Sequence, residues 1–424
     1  MKPSISLFLK NIFSFETAFV LFLFSYQYKN AHPIFLNPDI TLVLIGILIP
    51  WALCIKYKSH EPLFTKETLP FILFSIWCVV SAFWAPKSSY TISKTLCFVV
   101  YTLPTFFMGY TVIGTNIQRL KRFLVVVLVF SIFVHLEAYR IFYYAHGSIV
   151  DVLGNNYLVT GQTLGCGFII LVVWSLDLLQ GSLSSRNLQY KSVSDIRIYY
   201  WLLILLCGTF FYIQLNLGGR GPVIAVFLVL IAIYIYGFLQ VSNRQLYLQH
   251  FLHLILVCIL SYWLLKWMFT AKTDHFIART YAFITTPELD DPINWRIGYY
   301  HSAINAFLSH PIIGVGFGGW KNHYDIGSLP WQHPHNIVLE VLSETGAIGG
   351  VLGVLFAFTI LGKIPYKNLT NSLYMTPLCL FFFAIINALK SGDLNDNMLL
   401  FVMAGIVLNF EKLSAQTKIS QRIS

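Results

Sequence analysis

The sequence predicts an all-α, polytopic membrane protein of about twelve transmembrane helices with one large outer-face loop that contains a surface helix. Three observations carry this expectation. Of the 424 residues, 57% are hydrophobic and only 11% charged, at a mean hydropathy of +0.68. No water-soluble core absorbs that much apolar surface. Apolar runs of membrane length recur along the chain. Tyr and Trp, part of an aromatic content of 17%, gather near the ends of those runs, where a ring sits half in lipid and half in water.

About twenty apolar residues cross a bilayer. On that measure the candidate spans are 12–28, 40–56, 69–85, 94–112, 120–143, 157–180, 199–217, 222–239, 250–270, 336–361, 371–389 and 395–410, of which the first three are short and the last is weak. The first run contains Glu16 and lacks a small-residue cleavage site, so it reads as a retained span. With both termini cytoplasmic, 17 of the 28 basic residues fall on the inner side. Five of the others lie in or beside the one long loop, where charge has little influence on orientation. The net charge of +10 then reflects topology and does not imply nucleic-acid binding. All seven cysteines lie inside apolar runs without CxxC or Cys/His ligand spacing, which argues against a disulfide framework or a zinc site.

These spans divide the chain into an N-terminal transmembrane bundle (1–270), a loop domain (271–335), and C-terminal transmembrane helices with a cytoplasmic tail (336–424). A loop this long is functional or disordered, and its composition is not low-complexity, so it is expected to fold. In "DDPINWRIGYYHSAINAFLSHP" (290–311), Asp291 is placed to cap a helix and Pro292 to occupy its first turn. Ile293, Ile297, Tyr300, Ile304 and Leu308 follow at helical spacing. The expectation is an amphipathic helix at the membrane surface that buries this stripe and aims Arg296, on its flank, into the crevice beneath. Simple anchoring of an interfacial helix is the alternative role for that arginine.

Two further stretches carry chemistry. In "NLGGRGPVIAV" (216–226) the glycines allow a tight reversal, Pro222 suits a first helical turn, and Arg220 lies where that helix presents unpaired amides, a combination that attracts anions. The plainer reading is an arginine snorkelling to lipid phosphate. In "QHPHNIVLEVLSETGAIGG" (332–350) His335 and Asn336 stand at a helix entrance, with Glu340 and Glu344 four apart on one face. A histidine held there is a candidate general base, or merely a capping residue. His333 lies two residues before it, and Trp320 and Trp331 are near enough in sequence to stack on sugars or to anchor at the interface.

"GVGFGG" (314–319) matches G-x-G-x-x-G but has no strand and helix around it, so it reads as a flexible turn after the surface helix and not a dinucleotide site. His323, His333 and His335 lack an HxxxH spacing and a carboxylate partner, so no metal is assigned. Glu16, His135, Glu137, Asp177 and Lys266 are costly within spans and are expected to face neighbouring helices or crevices.

The Arg-Gly-Pro tip, the outer loop with Arg296 ending in "SHPIIGVGFG", and "HPHN…LE…TG.IG" at the next span together resemble the O-antigen ligase and O-antigen polymerase superfamily of bacterial envelope glycosyltransferases. The resemblance covers about Asn216 to Gly350. It implies a protein of the bacterial inner membrane whose periplasmic face moves a glycan from undecaprenyl pyrophosphate to an acceptor hydroxyl, without cofactor, nucleotide or metal. On the matching motifs, Arg220 and Arg296 bind the donor pyrophosphate and His335 engages the acceptor, with Asn336, Glu340, His333, Trp320 and Trp331 in support. The acceptor is lipid A-core for a ligase or another glycan for a polymerase. A protein-directed oligosaccharyltransferase is a further alternative. So is a polysaccharide transporter, though no internal repeat of the kind expected there is visible.

Overall fold

The computed structural model describes residues 13–59, 62, 64–144, 151–183, 193–240, 244–269, 281, 285, 291–323, 333–366 and 369–423. It is helical almost throughout. Among the described residues, eight helices are long and apolar enough to cross a membrane, and a ninth arises if Met398–Leu408 and Phe410–Gln416, bent by 51°, form one span. All twelve predicted runs are helical. Those at 69–85 and 371–389 yield the shorter apolar helices Leu69–Ser81 and Ser372–Ala388, and the first run breaks into Phe15–Leu23 and Ser25–Tyr28. Large apolar side chains are exposed along whole helix faces, as Leu252, Leu256, Ile259, Leu260, Trp263 and Leu264 are on Arg244–Phe269. Such a surface is stable only against lipid.

The chain forms two compact units, each discontinuous in sequence: Met1–Leu44, Lys121–Thr285 and Tyr366–Phe383 make the first, and Ile45–Leu120, Thr286–Pro365 and Ala384–Ser424 the second. These units follow packing, whereas the three-part division above follows membrane topology.

In the first unit, Tyr157–Leu183 packs against Val193–Asn216 and Arg220–Leu239. Close approach depends on missing side chains: a Cβ on Gly165 would lie 2.4 Å from the Phe383 ring, and one on Gly167 would lie 2.6 Å from Ser131. A two-residue hairpin pairs Asp151–Val152 with Asn155–Asn156, and its turn residues Leu153 and Gly154 both have positive φ, as this tight reversal requires.

In the second unit, Ile337–Leu361 packs on Leu69–Ser81 and on the surface helix Asp291–Ser309. Met398–Leu408 lies against the 103–113 segment at near backbone contact, since a Cβ on Gly405 would meet the Phe106 carbonyl at 2.6 Å.

Candidate functional site

The surface helix is found where expected, but it buries a different face. Tyr299, Ala303 and Ala306 are inside, joined with Val315 and Trp320 in one apolar cluster, while Ile297, Ile304 and Leu308 of the predicted stripe are exposed. The reason is the solvent. In water an apolar stripe marks the core, but beside a bilayer it marks the lipid side, and small residues mark the protein side. Arg296 lies three residues before Tyr299, so it shares the packed face and is half-buried. It is therefore directed inward, by a route opposite to the one the stripe suggested.

The chain after this helix is fixed by glycine geometry. Ile337–Leu361 is broken at Gly346, where φ is 66° and ψ −167°. The glycine turn enters that break: Val315 and Gly316 N–H groups donate to the Ser343 and Glu344 carbonyls at 2.9 Å each, and Ala347 N–H donates to the Pro311 carbonyl at 2.8 Å. Trp77 and Trp84 clamp it, donating to the Thr345 and Gly314 carbonyls at 2.8 and 3.2 Å. Gly314, Gly316 and Gly318 all have positive φ, and a Cβ on Gly314 would lie 2.4 Å from Glu344 backbone. "GVGFGG" is thus a pinned wedge whose backbone closely approaches Glu344, and not the flexible turn its composition suggested.

Beneath the wedge lies a fully buried ion cluster. Lys94 Nζ is 2.6 Å from Glu340 Oε1 and 2.7 Å from Glu344 Oε2, and all three side chains are 0% exposed. Gly318 N–H adds a bond to Glu344 at 2.9 Å, and Leu394 N–H adds one to Glu340 at 3.2 Å. Glu340, expected as a support for His335, is engaged here instead. The nearby Asp393 and Asp396 accept from each other's turn: Asp396 N–H donates to Asp393 at 2.9 Å, and Asp393 N–H to Asp396 at 3.1 Å. Burial first, then repulsion from Asp393, pushes the Asp396 carboxyl up to about 7.

His335 stands two residues before Ile337–Leu361 and is partly exposed. Its φ of 57° is unusual for a residue with a side chain and fixes the direction in which the imidazole leaves the backbone. Its Nδ1 lies 3.2 Å from His333 Nε2, and its ring centroid is 5.9 Å from that of Tyr299. Burial, reinforced by His333 and Arg296, pulls His335 down to about 3. Burial likewise pulls His333 down to about 4, with Asp393 opposing and Lys94 assisting. Both rings are neutral at pH 7, so the contact between them holds a single shared proton. Asn336 caps Ile337–Leu361, accepting from Val338 and Leu339 N–H at 3.0 and 3.1 Å. Its amide also donates to the Leu389 carbonyl at 3.0 Å, fixing the next turn of chain beside the histidine.

That turn holds a residue the sequence reading passed over. Lys390 Nζ is buried and has no hydrogen-bond partner among the described residues. Burial, and then the charge of Arg296, lowers its ammonium to about 7. Its signal in the sequence is faint: it is one of only six basic residues assigned to the outer side outside the long loop. Lys94 is another of the six.

Trp320 is 0% exposed and packs edge-on to Tyr299 at 5.8 Å, which makes it core and removes it as a sugar platform. Trp331 lies outside the described residues. Arg220 belongs to the first unit, whereas Arg296, His333 and His335 belong to the second. Arg220 opens Arg220–Leu239, after the Gly218 turn with φ of 73°. The costly in-span residues of the first unit all meet neighbours: Arg122 pairs with Glu16 at 3.6 Å, Ser372 donates to Asp177 at 2.8 Å, Lys266 donates to Tyr262 at 3.3 Å, and His135 stacks on Phe210 at 4.2 Å.

Residues 201–354 match a family model described as O-antigen ligase. No curated protein matches the chain.

Proposed function

Because residues 201–354 match a family model described as O-antigen ligase, we propose that the chain is a ligase-type glycosyltransferase of the O-antigen ligase and polymerase superfamily. It moves a glycan from undecaprenyl pyrophosphate to a sugar hydroxyl of lipid A-core at the periplasmic face, with inversion at the anomeric carbon. The observation that carries the reading is a neutral histidine on strained backbone, His335, beside Tyr299 of the surface helix and within reach of the charge of Arg296.

The chemistry is one displacement. The acceptor oxygen bonds to the anomeric carbon as the bond to the diphosphate oxygen breaks, and the hydroxyl proton passes to His335 Nε2. For that nitrogen to hold a lone pair, Nδ1 must carry the ring proton and donate it to His333 Nε2, so His333 selects the reactive tautomer. The low proton affinity of the empty site is suited to this. Two negative charges of a bound diphosphate offset the repulsion from Arg296 and raise the basicity of His335 only when donor is present. Arg296 stabilises the leaving diphosphate. Arg220, by residue type and its place at a helix start, is also assigned to donor binding.

Gene deletion tests the ligase assignment. Long lipid-linked polymer left unattached is the expected result, whereas single repeats joined to lipid A would instead identify a polymerase. Transfer by purified protein from a lipid-linked donor tests the enzyme class, and absence of turnover there would overturn the reading.

A further inference from the structure

We propose that Lys390 is a donor-binding residue, an ammonium that contacts a diphosphate oxygen of the lipid-linked sugar beside Arg296. The inference rests on the lipid-diphosphate reading above and adds a residue outside the matched segment. The contrast with Lys94 carries it. Lys94 Nζ is enclosed by two carboxylates at 2.6 and 2.7 Å, as a buried cation requires. Lys390 Nζ is also shielded from solvent, has no acceptor among the described residues, and is near enough to Arg296 to feel its charge. The acids closest in sequence, Asp393 and Asp396, are turned onto backbone N–H groups of their own loop.

A lysine just past a helix end can be held there by the helix carbonyls alone, and Lys390 follows Ser372–Ala388, its N–H donating to the Asn387 carbonyl at 3.1 Å. That accounts for the backbone but not for an unmatched Nζ next to a guanidinium. Two cations near enough to interact, one of them with no acceptor among the described residues, are complementary to a dianion. The position is also set: Asn336 bonds to the Leu389 carbonyl, so Lys390 is held one residue from a direct link to the His335 segment.

Proton balance follows. Arg296, from the surface helix, is the charged group that acts on the amine, and the acids of its own loop, Asp393 and Asp396, accept from backbone N–H groups instead. In the empty site the amine is about half protonated near pH 7. A diphosphate diester carries two charges that do not titrate in this range, so binding raises the ammonium's proton affinity and draws a proton from solvent. Affinity is therefore full below pH 7 and declines as pH rises from there toward the higher value of the bound state.

The test is calorimetric binding of a short-chain isoprenyl-diphosphate sugar to the full chain in nanodiscs, from pH 6 to 9 and in buffers of different ionisation heat. Expected are proton uptake with the wild type, affinity that falls above pH 7, about tenfold or more weaker binding by Lys390→Gln at pH 6.5, and tight, pH-independent binding by Lys390→Arg. Lys390→Gln binding like wild type, or a wild-type affinity flat across the range, would overturn the assignment. Should Lys390→Gln not fold, the wild-type profile and Lys390→Arg decide. Loss of binding in Arg296→Ala alongside an unaffected Lys390→Gln removes Lys390 alone. A wild type that binds no probe removes the donor reading as well.

Discussion

Polar residues inside the two units are handled differently. In the first, several costly groups have a local answer: Glu16 meets Arg122, Asp177 accepts from Ser372, and His250 sits between Ser175 and Tyr234 with 2.8 Å contacts on both ring nitrogens. Such pairs settle helix register and leave little for a ligand to satisfy. In the second, the charges are crowded and unequal. One ammonium serves two carboxylates, two aspartates lie nearby, two histidines are paired with each other, and Lys390 Nζ has no hydrogen-bond partner among the described residues. Crowded, strongly perturbed charges of this kind gather where a ligand is bound.

The sharpest way to break this contrast is His335→Ala. Loss of the base is expected to lower kcat by about 10²–10⁴-fold, read as glycan transfer by purified protein, with thermal unfolding unchanged or slightly lowered because alanine keeps a Cβ at this positive φ. Transfer at wild-type rate would remove His335 from the reaction. Next is Lys94→Met, which leaves two buried carboxylates facing each other and is expected to cost about 3–5 kcal/mol of stability, seen as lost membrane-integrated protein or a lowered midpoint in detergent. Combining it with Glu340→Gln and Glu344→Gln should recover most of that loss. If the triple variant is as damaged as the single, the cluster is not held by charge balance.

How far these features were legible depends on distance along the chain. The helices were readable because each apolar run records its own environment. Arg220, Arg296 and His335 stood out as candidates because each sits in a short, unusual stretch. The buried face of the surface helix was misread: Ile297, Ile304 and Leu308 point outward and Ala303 and Ala306 pack inside, the pattern suited to a helix resting on a bilayer rather than in water. The ion cluster was unreadable, since Lys94 meets Glu344 across 250 positions and, at the start of an apolar run, looks like any interfacial lysine. Trp320 was ambiguous between platform and core until its neighbours Tyr299 and Val315 were placed.

Smaller in effect, and a probe of how rigidly the second unit presents its site, is Gly314→Ala. Its φ of 71° and the 2.4 Å approach of a Cβ to Glu344 backbone predict about 1–3 kcal/mol of destabilisation. Because Gly314 follows the surface helix and is bonded to the helix that begins after His335, transfer should fall more than stability alone explains. Equal losses in both would mean that the wedge only supports the fold.

The mildest test compares two cations that the sequence assigns to the same side of the membrane. Arg140 is 61% exposed and pairs with Glu137 at 2.8 Å, three residues away on its own helix. Such a pair contributes about 0.2–0.5 kcal/mol, so Arg140→Gln should leave unfolding within about 0.5 kcal/mol of wild type and donor KM unchanged. Lys390→Gln removes one charge of the same sign and should likewise spare the fold, but raise donor KM. Total positive charge on that face is reduced equally by both, so long-range attraction of an anionic donor predicts equal effects, whereas direct contact predicts an effect only at Lys390. Measuring KM for the two variants at low and at physiological salt separates these: an effect shared by both and abolished by salt would reduce Lys390 to part of a diffuse field.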